Sequence, residues 1–373
     1  MASLVNLANG DRLNLRVEGQ ILASESIKNG KTRQTQKEFA SAGEAQKAYA
    51  KKEWESLKKG YVLQNAGAKA GEASLHVYIG GGYTGALAFA GAGGEFFVYK
   101  CGDYKEEDSV DFLTRLSADG AIRGDIILPK PLAWHAERAG EILLLDLDHD
   151  IFKFNPQTGE FINVFKELKI KRNGDITSCV CASGETAAFA AYGQIYVLRD
   201  GGFSSLGKYK TDSGCGAAFC IALSTDGAKL ALSCKQNEIK ILNALNGEIL
   251  NEIKEDFGAL SDVCFLNDGS LLGREYYNGG LVFFDAAGLR QTPAWMRGEC
   301  VKAQKICVSA DGLRLALINY DKARIIDLKS GNLQLIFELS HVVKRCEAKF
   351  ERINGEEFLA VRTDYGCFSL YKI

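Results

Sequence analysis

One glycine recurs along most of this chain at nearly constant spacing. Gly85, Gly140, Gly184, Gly227, Gly269, Gly312 and Gly355 lie 55, 44, 43, 42, 43 and 43 residues apart. An apolar run precedes each, as in "KICVSAD" and "DVCFLND", and an alternating run follows, as in "LRLAL". About twelve residues past the glycine comes a third run, as in "ARIIDL", "GLVFFD", "EIKILN" and "DIFKFN". A second glycine follows in "NPQTG", "NALNG", "DAAG" and "DLKSG", and then a fourth run. A unit of four short strands cannot bury both of its faces alone, so the copies must stack on one another.

The runs alternate or are wholly apolar, which speaks against a helical solenoid of similar period. Asp, Asn and Gly supply the backbone conformations that tight hairpins need. Four strands per repeat is the blade of a β-propeller, and seven marker glycines predict seven blades over residues 75–373. The long first gap leaves room for an insertion around "CGDYKEEDSVDFLTRLSADG". "CIALSTDGAKLALSCKQNEIKILNALNGEIL" and "ICVSADGLRLALINYDKARIIDLKSGNLQL" resemble WD40-type repeats. The family's Trp-Asp pair is replaced by Phe284-Asp285, Ile326-Asp327 and Leu242-Asn243, and its Gly-His pair is echoed only at Ser340-His341. The resemblance therefore implies a degenerate propeller.

Ahead of the repeats, "FASAGEAQKAYAKKEWESLKKGYVL" predicts a helix with both ends marked. Ser41 with Glu44 three residues on forms a capping box. Ala50, Trp54 and Leu57 are predicted on one face. Lys58 and Lys59 suit the negative end of the helix dipole, and Gly60 suits a left-handed terminator. Upstream, "RLNLRVEG" and "ILASESI" alternate as strands, and Asn29-Gly30 is a hairpin turn signal. Three strands and a helix predict a small α+β module over residues 1–64, joined by a linker, Asn65–Ser74. "RVEG", "RQTQKEFASAGEAQKAY" and "KKGYV" resemble the WGR domain over about residues 10–64. The Trp-Gly-Arg tripeptide is absent, its region reading "SESIKNGKTRQ". Some WGR domains bind DNA ends, so the resemblance raises nucleic-acid binding as a second possibility.

Charge is uneven. The chain of 373 residues carries 45 Lys/Arg and 47 Asp/Glu, a net −2. Residues 1–64 hold eleven cations and seven anions, or +4, which leaves −6 for the remainder. Lys28, Lys31, Arg33 and Lys37 cluster on and after the predicted hairpin and could meet phosphate oxygens. The competing reading is an ordinary solvated strand face.

The remaining motifs favour structural readings. Gly80, Gly82 and Gly85 match G-x-G-x-x-G, but "ALAFAGAGGEFFVYK" follows as strand, turn and strand, where a dinucleotide site needs a helix. Asp146, Asp148 and Asp150 alternate in "DLDHD" without the later glycine and glutamate of a calcium loop, so a solvated hairpin is favoured. Cys179 and Cys181 point the same way on a predicted strand. Cys264 and Cys307 each precede an Asp-Gly pair by four residues. Packing explains such cysteines more simply than metal. His76, His135, His149 and His341 form no motif, and no G-x-S-x-G, P-loop or H-E-x-x-H occurs.

Eleven cysteines, mostly inside apolar runs, suggest a reducing compartment. The opening "MASLVNLANGDRL" lacks the pattern of a signal peptide, and no apolar run is long enough to span a bilayer. The expectation is a cytoplasmic, non-enzymatic protein-interaction scaffold with no cofactor or metal, docking protein partners on its propeller. The alternative is an adaptor that binds nucleic acid weakly through residues 1–64. After Gly355 only two strands remain, so an N-terminal strand must complete the last blade. Tyr61–Gln64 is the first choice and Ser3–Leu7 the second.

Overall fold

The computed structural model describes residues 2–81, 87–102, 109–138, 141–164, 166, 178–199, 202–211, 219–342 and 344–373. The chain starts with strands β1 (Ala2–Asn6), β2 (Arg12–Glu18), β3 (Ile21–Lys28) and β4 (Lys31–Glu38). Helix α1 (Ala42–Leu57), β5 (Tyr61–Gln64) and β6 (Ala73–Tyr78) follow. Asn29 and Gly30 have φ of 46° and 74°, the left-handed pair that a two-residue hairpin turn requires. Ser41 Oγ accepts from the Glu44 N–H at 3.2 Å, Glu44 Oε2 accepts from the Ala40 N–H, and Gly60 ends the helix at φ 83°. Both predicted helix ends are therefore observed. The predicted face is observed in part: Leu57 is buried and Trp54 packs against the same apolar cluster, but Ala50 is exposed, and Ala45, Glu53 and Ser56 are the other buried positions. Four strands, rather than three, precede the helix.

Six self-contained four-stranded sheets follow. The first holds β7 (Phe89–Ala92), β8 (Glu95–Lys100), β9 (Phe112–Ser117) and β10 (Ile122–Ile127). The second holds β11 (Leu132–Arg138), β12 (Glu141–Asp146), β13 (Ile151–Asn155) and β14 (Glu160–Asn163). The third holds β15 (Ser178–Ser183), β16 (Thr186–Ala191), β17 (Gln194–Arg199) and β18 (Gly202–Lys208). The fourth holds β19 (Cys220–Leu223), β20 (Lys229–Lys235), β21 (Glu238–Asn243) and β22 (Ile249–Lys254). The fifth holds β23 (Leu260–Phe265), β24 (Leu271–Glu275), β25 (Leu281–Phe284) and β26 (Arg290–Gln291). The sixth holds β27 (Lys305–Val308), β28 (Arg314–Asn319), β29 (Lys322–Asp327) and β30 (Asn332–Glu338).

The last strands, β31 (Cys346–Ile353), β32 (Glu356–Thr363) and β33 (Cys367–Lys372), do not form a seventh sheet of the same kind. They open a nine-stranded sheet in the order β31-β32-β33-β6-β5-β1-β2-β3-β4. The expectation of seven alike blades is thus corrected to six blades and one long closing sheet. Apolar clusters join each sheet to the next. Phe89, Phe96 and Val98 of the first sheet pack on Leu75, Val77 and Phe368 of the closing sheet, which completes the ring.

Two further expectations change. The strand beside β33 is β6, which contains Leu75 itself; Tyr61–Gln64 pairs outside it, and β1 lies beyond that. "LHVYI" therefore finishes the ring where the repeat pattern had it begin one. The first sheet turns at Gly93-Gly94, and Phe112–Ser117 is its third strand, not part of an insertion. Counting from Gly94 shortens the first interval to 46 residues, close to the others. Gly82, Gly85 and Gly140 lie outside the described residues.

Candidate functional site

The four cations singled out in the sequence come together. β3 and β4 pair without a register shift, Lys28 opposite Lys31, Ser26 opposite Arg33 and Leu22 opposite Lys37. Directly opposed residues share a face, and alternate residues along a strand do too. Lys28, Lys31, Arg33 and Lys37 therefore stand on one face, with Leu22, Ser24, Ser26 and Thr35 between them and no carboxylate among them. Helix α1 lies on the same side: Lys52 Nζ donates to Ser24 Oγ at 2.7 Å, and Ser24 Oγ is 2.7 Å from Thr35 Oγ1. Partial burial holds the Lys52 ammonium below its ordinary pKa. Glu25 faces the other way, accepting from Asn14 at 2.9 Å and Gln34 at 2.9 Å. All eight residues of β4 are exposed, and Lys37 Nζ sits 5.0 Å from the centre of the Phe39 ring.

On the ring, exposed aromatics gather where second and third strands turn. Tyr276 and Tyr277 follow β24, their rings 5.1 Å apart and edge to face. Tyr320 follows β28 with φ 53°, a left-handed conformation that few non-glycine residues adopt. The two turns are tied together. Gly280 bridges Lys302, Ala303 N–H donates to Gly279 C=O at 2.9 Å, and Gln304 Oε1 accepts from Tyr320 N–H at 2.9 Å. Tyr277 is 74% exposed and Tyr320 59%. A groove of about 470 Å³ runs beside Tyr320, lined by Glu299, Val301, Lys302, Lys322 and Arg324 among others. No sequence motif marked this face, because its tyrosines sit in turns of unlike sequence.

The inner strands carry a buried charge relay. Lys305 Nζ of β27 lies 2.9 Å from Glu347 of β31 and 3.6 Å from Asp262 of β23. Burial alone would lower the Lys305 pKa, but the two carboxylates raise it. Cys264 and Cys307 occupy neighbouring positions, and Cys179 and Cys181 pack on an apolar core containing Ile221 and Leu232. Burial pushes the Cys181 and Cys307 thiols up to about 12, which makes them poor nucleophiles. Cys179, Cys181, Cys264 and Cys307 are free thiols.

Asp146, Asp148 and Asp150 do lie at the β12–β13 hairpin, but only Asp148 is solvated. Asp146 and Asp150 are buried; Asp146 Oδ1 accepts from the Asp150 N–H at 2.8 Å, and Asp150 Oδ2 accepts from Asn163 at 3.2 Å. Among the described residues no group of three His, Cys, Asp or Glu is placed to hold a metal. Gly80 N–H donates to Gly366 C=O, and the next element among the described residues is strand β7 rather than a helix. His135 belongs to β11, and the other three histidines enter hydrogen bonds.

The largest surprise is a buried polar cluster between α1 and the ring. Glu53 Oε2 accepts from His341 Nε2 at 2.9 Å, and Glu53 Oε1 accepts from Tyr49 at 3.1 Å. His76 Nδ1 is 2.6 Å from Ser369 Oγ, and its ring is 5.6 Å from that of His341 and 5.7 Å from that of Tyr371. Burial would raise the Glu53 carboxyl, but His341, His76 and Tyr49 outweigh it and hold its pKa below the ordinary value. Burial pushes the His76 imidazole down to about 4. Trp54 adds an edge-to-face contact with Tyr365 at 5.0 Å, and Lys58 Nζ lies 3.7 Å over the Trp54 ring.

No family model and no curated protein matches this chain. Solved structures do. A chain of the mitotic checkpoint complex superposes with a TM-score of 0.60 at 10% identity, over 83% of this chain and 96% of that one. The C-terminal WD40 domain of Sif2 gives 0.52 at 11%, over 99% and 93%. Virginiamycin B lyase from Staphylococcus aureus gives 0.56 at 15%, over 80% and 98%. The likeness spans a component of a protein complex and an enzyme, so it speaks to architecture and not to activity. No helix among the described residues is long and apolar enough to cross a membrane. The architecture is that of a β-propeller.

Proposed function

We propose that the protein is a non-enzymatic, cytoplasmic docking scaffold whose main partner surface is the Tyr276, Tyr277 and Tyr320 face of the ring, with a WGR-like module over residues 1–64 set on its closing sheet. The observation that carries this reading is the exposed tyrosine pair and Tyr320 on two turns that residues 302–304 tie together, by a backbone bond to Gly279 and the Gln304 side chain on Tyr320 N–H. Tyrosine supplies large contact area at low entropic cost, and a rigid backbone keeps that cost low. The free thiols of Cys179, Cys181, Cys264 and Cys307 support a reducing compartment.

The test is affinity capture from native lysate with wild type, a Tyr277→Ala/Tyr320→Ala variant and a Leu245→Ser variant. Leu245 is exposed in the β21–β22 turn, away from these tyrosines. Proteins held by wild type and Leu245→Ser, and lost by about tenfold or more from the tyrosine variant, are the expected result, since anchor aromatics contribute ~2 kcal/mol or more. Equal recovery on all three baits removes this face from the function.

A nucleic-acid-binding adaptor is the second reading. Its support is the placement of Lys28, Lys31, Arg33 and Lys37 on one face. The −6 carried by residues 65–373 opposes it, because that charge repels a phosphate backbone. A gel shift with short duplexes at low salt tests it, and a Lys31→Ala/Arg33→Ala/Lys37→Ala variant should abolish any shift.

A further inference from the structure

The edge of the closing sheet offers more than charge. β4 is the terminal strand, eight residues long, without proline or bulge, and every residue on it is exposed. The two-residue turn at Asn29-Gly30 makes Lys28 and Lys31 a hydrogen-bonded pair, and such pairs then alternate. Lys31, Arg33, Thr35 and Lys37 therefore direct their backbone groups toward β3. Those of Thr32, Gln34, Gln36 and Glu38 point away from the sheet. The Phe39 N–H bond to Gln20 C=O, at 2.9 Å just past this strand, keeps the same phase. Among the described residues no strand pairs with that outer side.

Backbone and side chains thus make a two-part template. The outward backbone groups accept a further strand, and the cations on one face stand opposite every second residue of that strand. We infer that β4 is a docking edge for an extended acidic segment of a protein partner, one with Asp or Glu at alternate positions. Such a segment extends the sheet to ten strands. Its carboxylates meet Lys31, Arg33 and Lys37 on the helix side, with Lys28 behind them, and its other face lies along Gln34 and Gln36. Nucleic acid would use the same cations but has no row of peptide groups to match the outward amides.

The probe is a synthetic peptide alternating glutamate and threonine, with a lysine–threonine peptide as control, added to the whole chain. Amide exchange is read at Thr32, Gln34, Gln36 and Glu38. The acidic peptide is expected to slow those four amides by about tenfold or more while the control does not, because a strand-added peptide takes up the edge hydrogen bonds. Two variants separate the two halves of the template. Gln34→Pro removes one outward N–H and leaves the β3–β4 ladder whole, since proline is tolerated on an edge. Arg33→Glu reverses the central charge. Each should weaken peptide binding about tenfold, the charge variant mainly at low salt. The Tyr277→Ala/Tyr320→Ala variant should bind the peptide as wild type does, so failure of the ring surface and failure of this edge are read separately. No protection by either peptide overturns the inference and leaves the lysines as guards against sheet-to-sheet aggregation. A duplex DNA shift without amide protection overturns it in favour of phosphate binding.

Discussion

His341 Nε2 lies 2.9 Å from Glu53 Oε2, and both side chains are almost wholly buried. One residue belongs to the loop between β30 and β31, the other to α1. The pair clasps α1 to the ring. Glu53 also accepts from Tyr49 of its own helix, so a single carboxylate satisfies a donor on each side of the junction. Removing it leaves the buried His341 ring and the partly buried Tyr49 hydroxyl without this acceptor. Glu53→Ala should therefore cost roughly 3–5 kcal/mol in chemical denaturation, the range for breaking one side of a buried pair. Glu53→Gln keeps an acceptor and should cost less. A Glu53→Ala loss under about 1 kcal/mol would show that the clasp contributes little.

The same cluster predicts acid sensitivity. His76 has an ordinary value of 6.5 and a folded value of about 4, with Glu53, His341 and Tyr371 around it and Ser369 as its hydrogen-bond partner. Its unfolded form binds a proton more readily than its folded form. Stability from this group is thus fully present above pH 6.5 and falls as pH drops toward 4, by up to roughly 3 kcal/mol. Glu53, also lowered, acts in the same direction at the acid end. Denaturation midpoints measured between pH 7 and 4 should fall steadily, and His76→Asn should flatten the slope. An unchanged slope in His76→Asn assigns the effect elsewhere.

Lys305 ties three inner strands together through Asp262 and Glu347. Lys305→Met removes the charge but keeps the bulk. It should destabilise by roughly 3 kcal/mol, because two partly or wholly buried carboxylates lose their shared cation. Chemical denaturation of the variant beside wild type would show the loss, and equal midpoints would show that the trio contributes little.

Limited proteolysis probes the segment between β5 and β6. Residues 66, 67, 69 and 70 are exposed, while Ala68 is buried. A first cut is expected there. The two pieces should nevertheless elute together under native conditions, since β5 pairs with β6 and Leu63 and Cys367 share one apolar cluster. They should part only in denaturant. Spontaneous separation after the cut would favour two independently folded units.

Repetition and turn chemistry made most of the ring legible. Gly184, Gly227, Gly269, Gly312 and Gly355 all fall between a first and a second strand, and Asn29-Gly30 and Gly60 act as their conformational preferences require. The phase of the first repeat was not legible. An apolar run such as "LHVYI" reads alike whether it opens a sheet or closes one, and only its partner strand decides. Lys31, Arg33 and Lys37 could be grouped only as a cluster following the hairpin signal; their common face depends on the β3–β4 register. Glu53 was invisible for another reason. A glutamate in a charged helix reads as a solvated residue, and its partners lie 23 and 288 positions away along the chain for His76 and His341.

The pairing of β6 with β33 has a consequence in the order of synthesis. Leu75 and Val77 leave the ribosome early, yet their hydrogen-bonding neighbour, Cys367–Lys372, is translated almost three hundred residues later. At the usual pace of ~5–20 residues per second, β6 waits some tens of seconds for that strand. Throughout that interval the nascent chain displays an apolar, unpaired edge. Codon choice, translation speed and chaperone supply should then influence the yield of soluble protein.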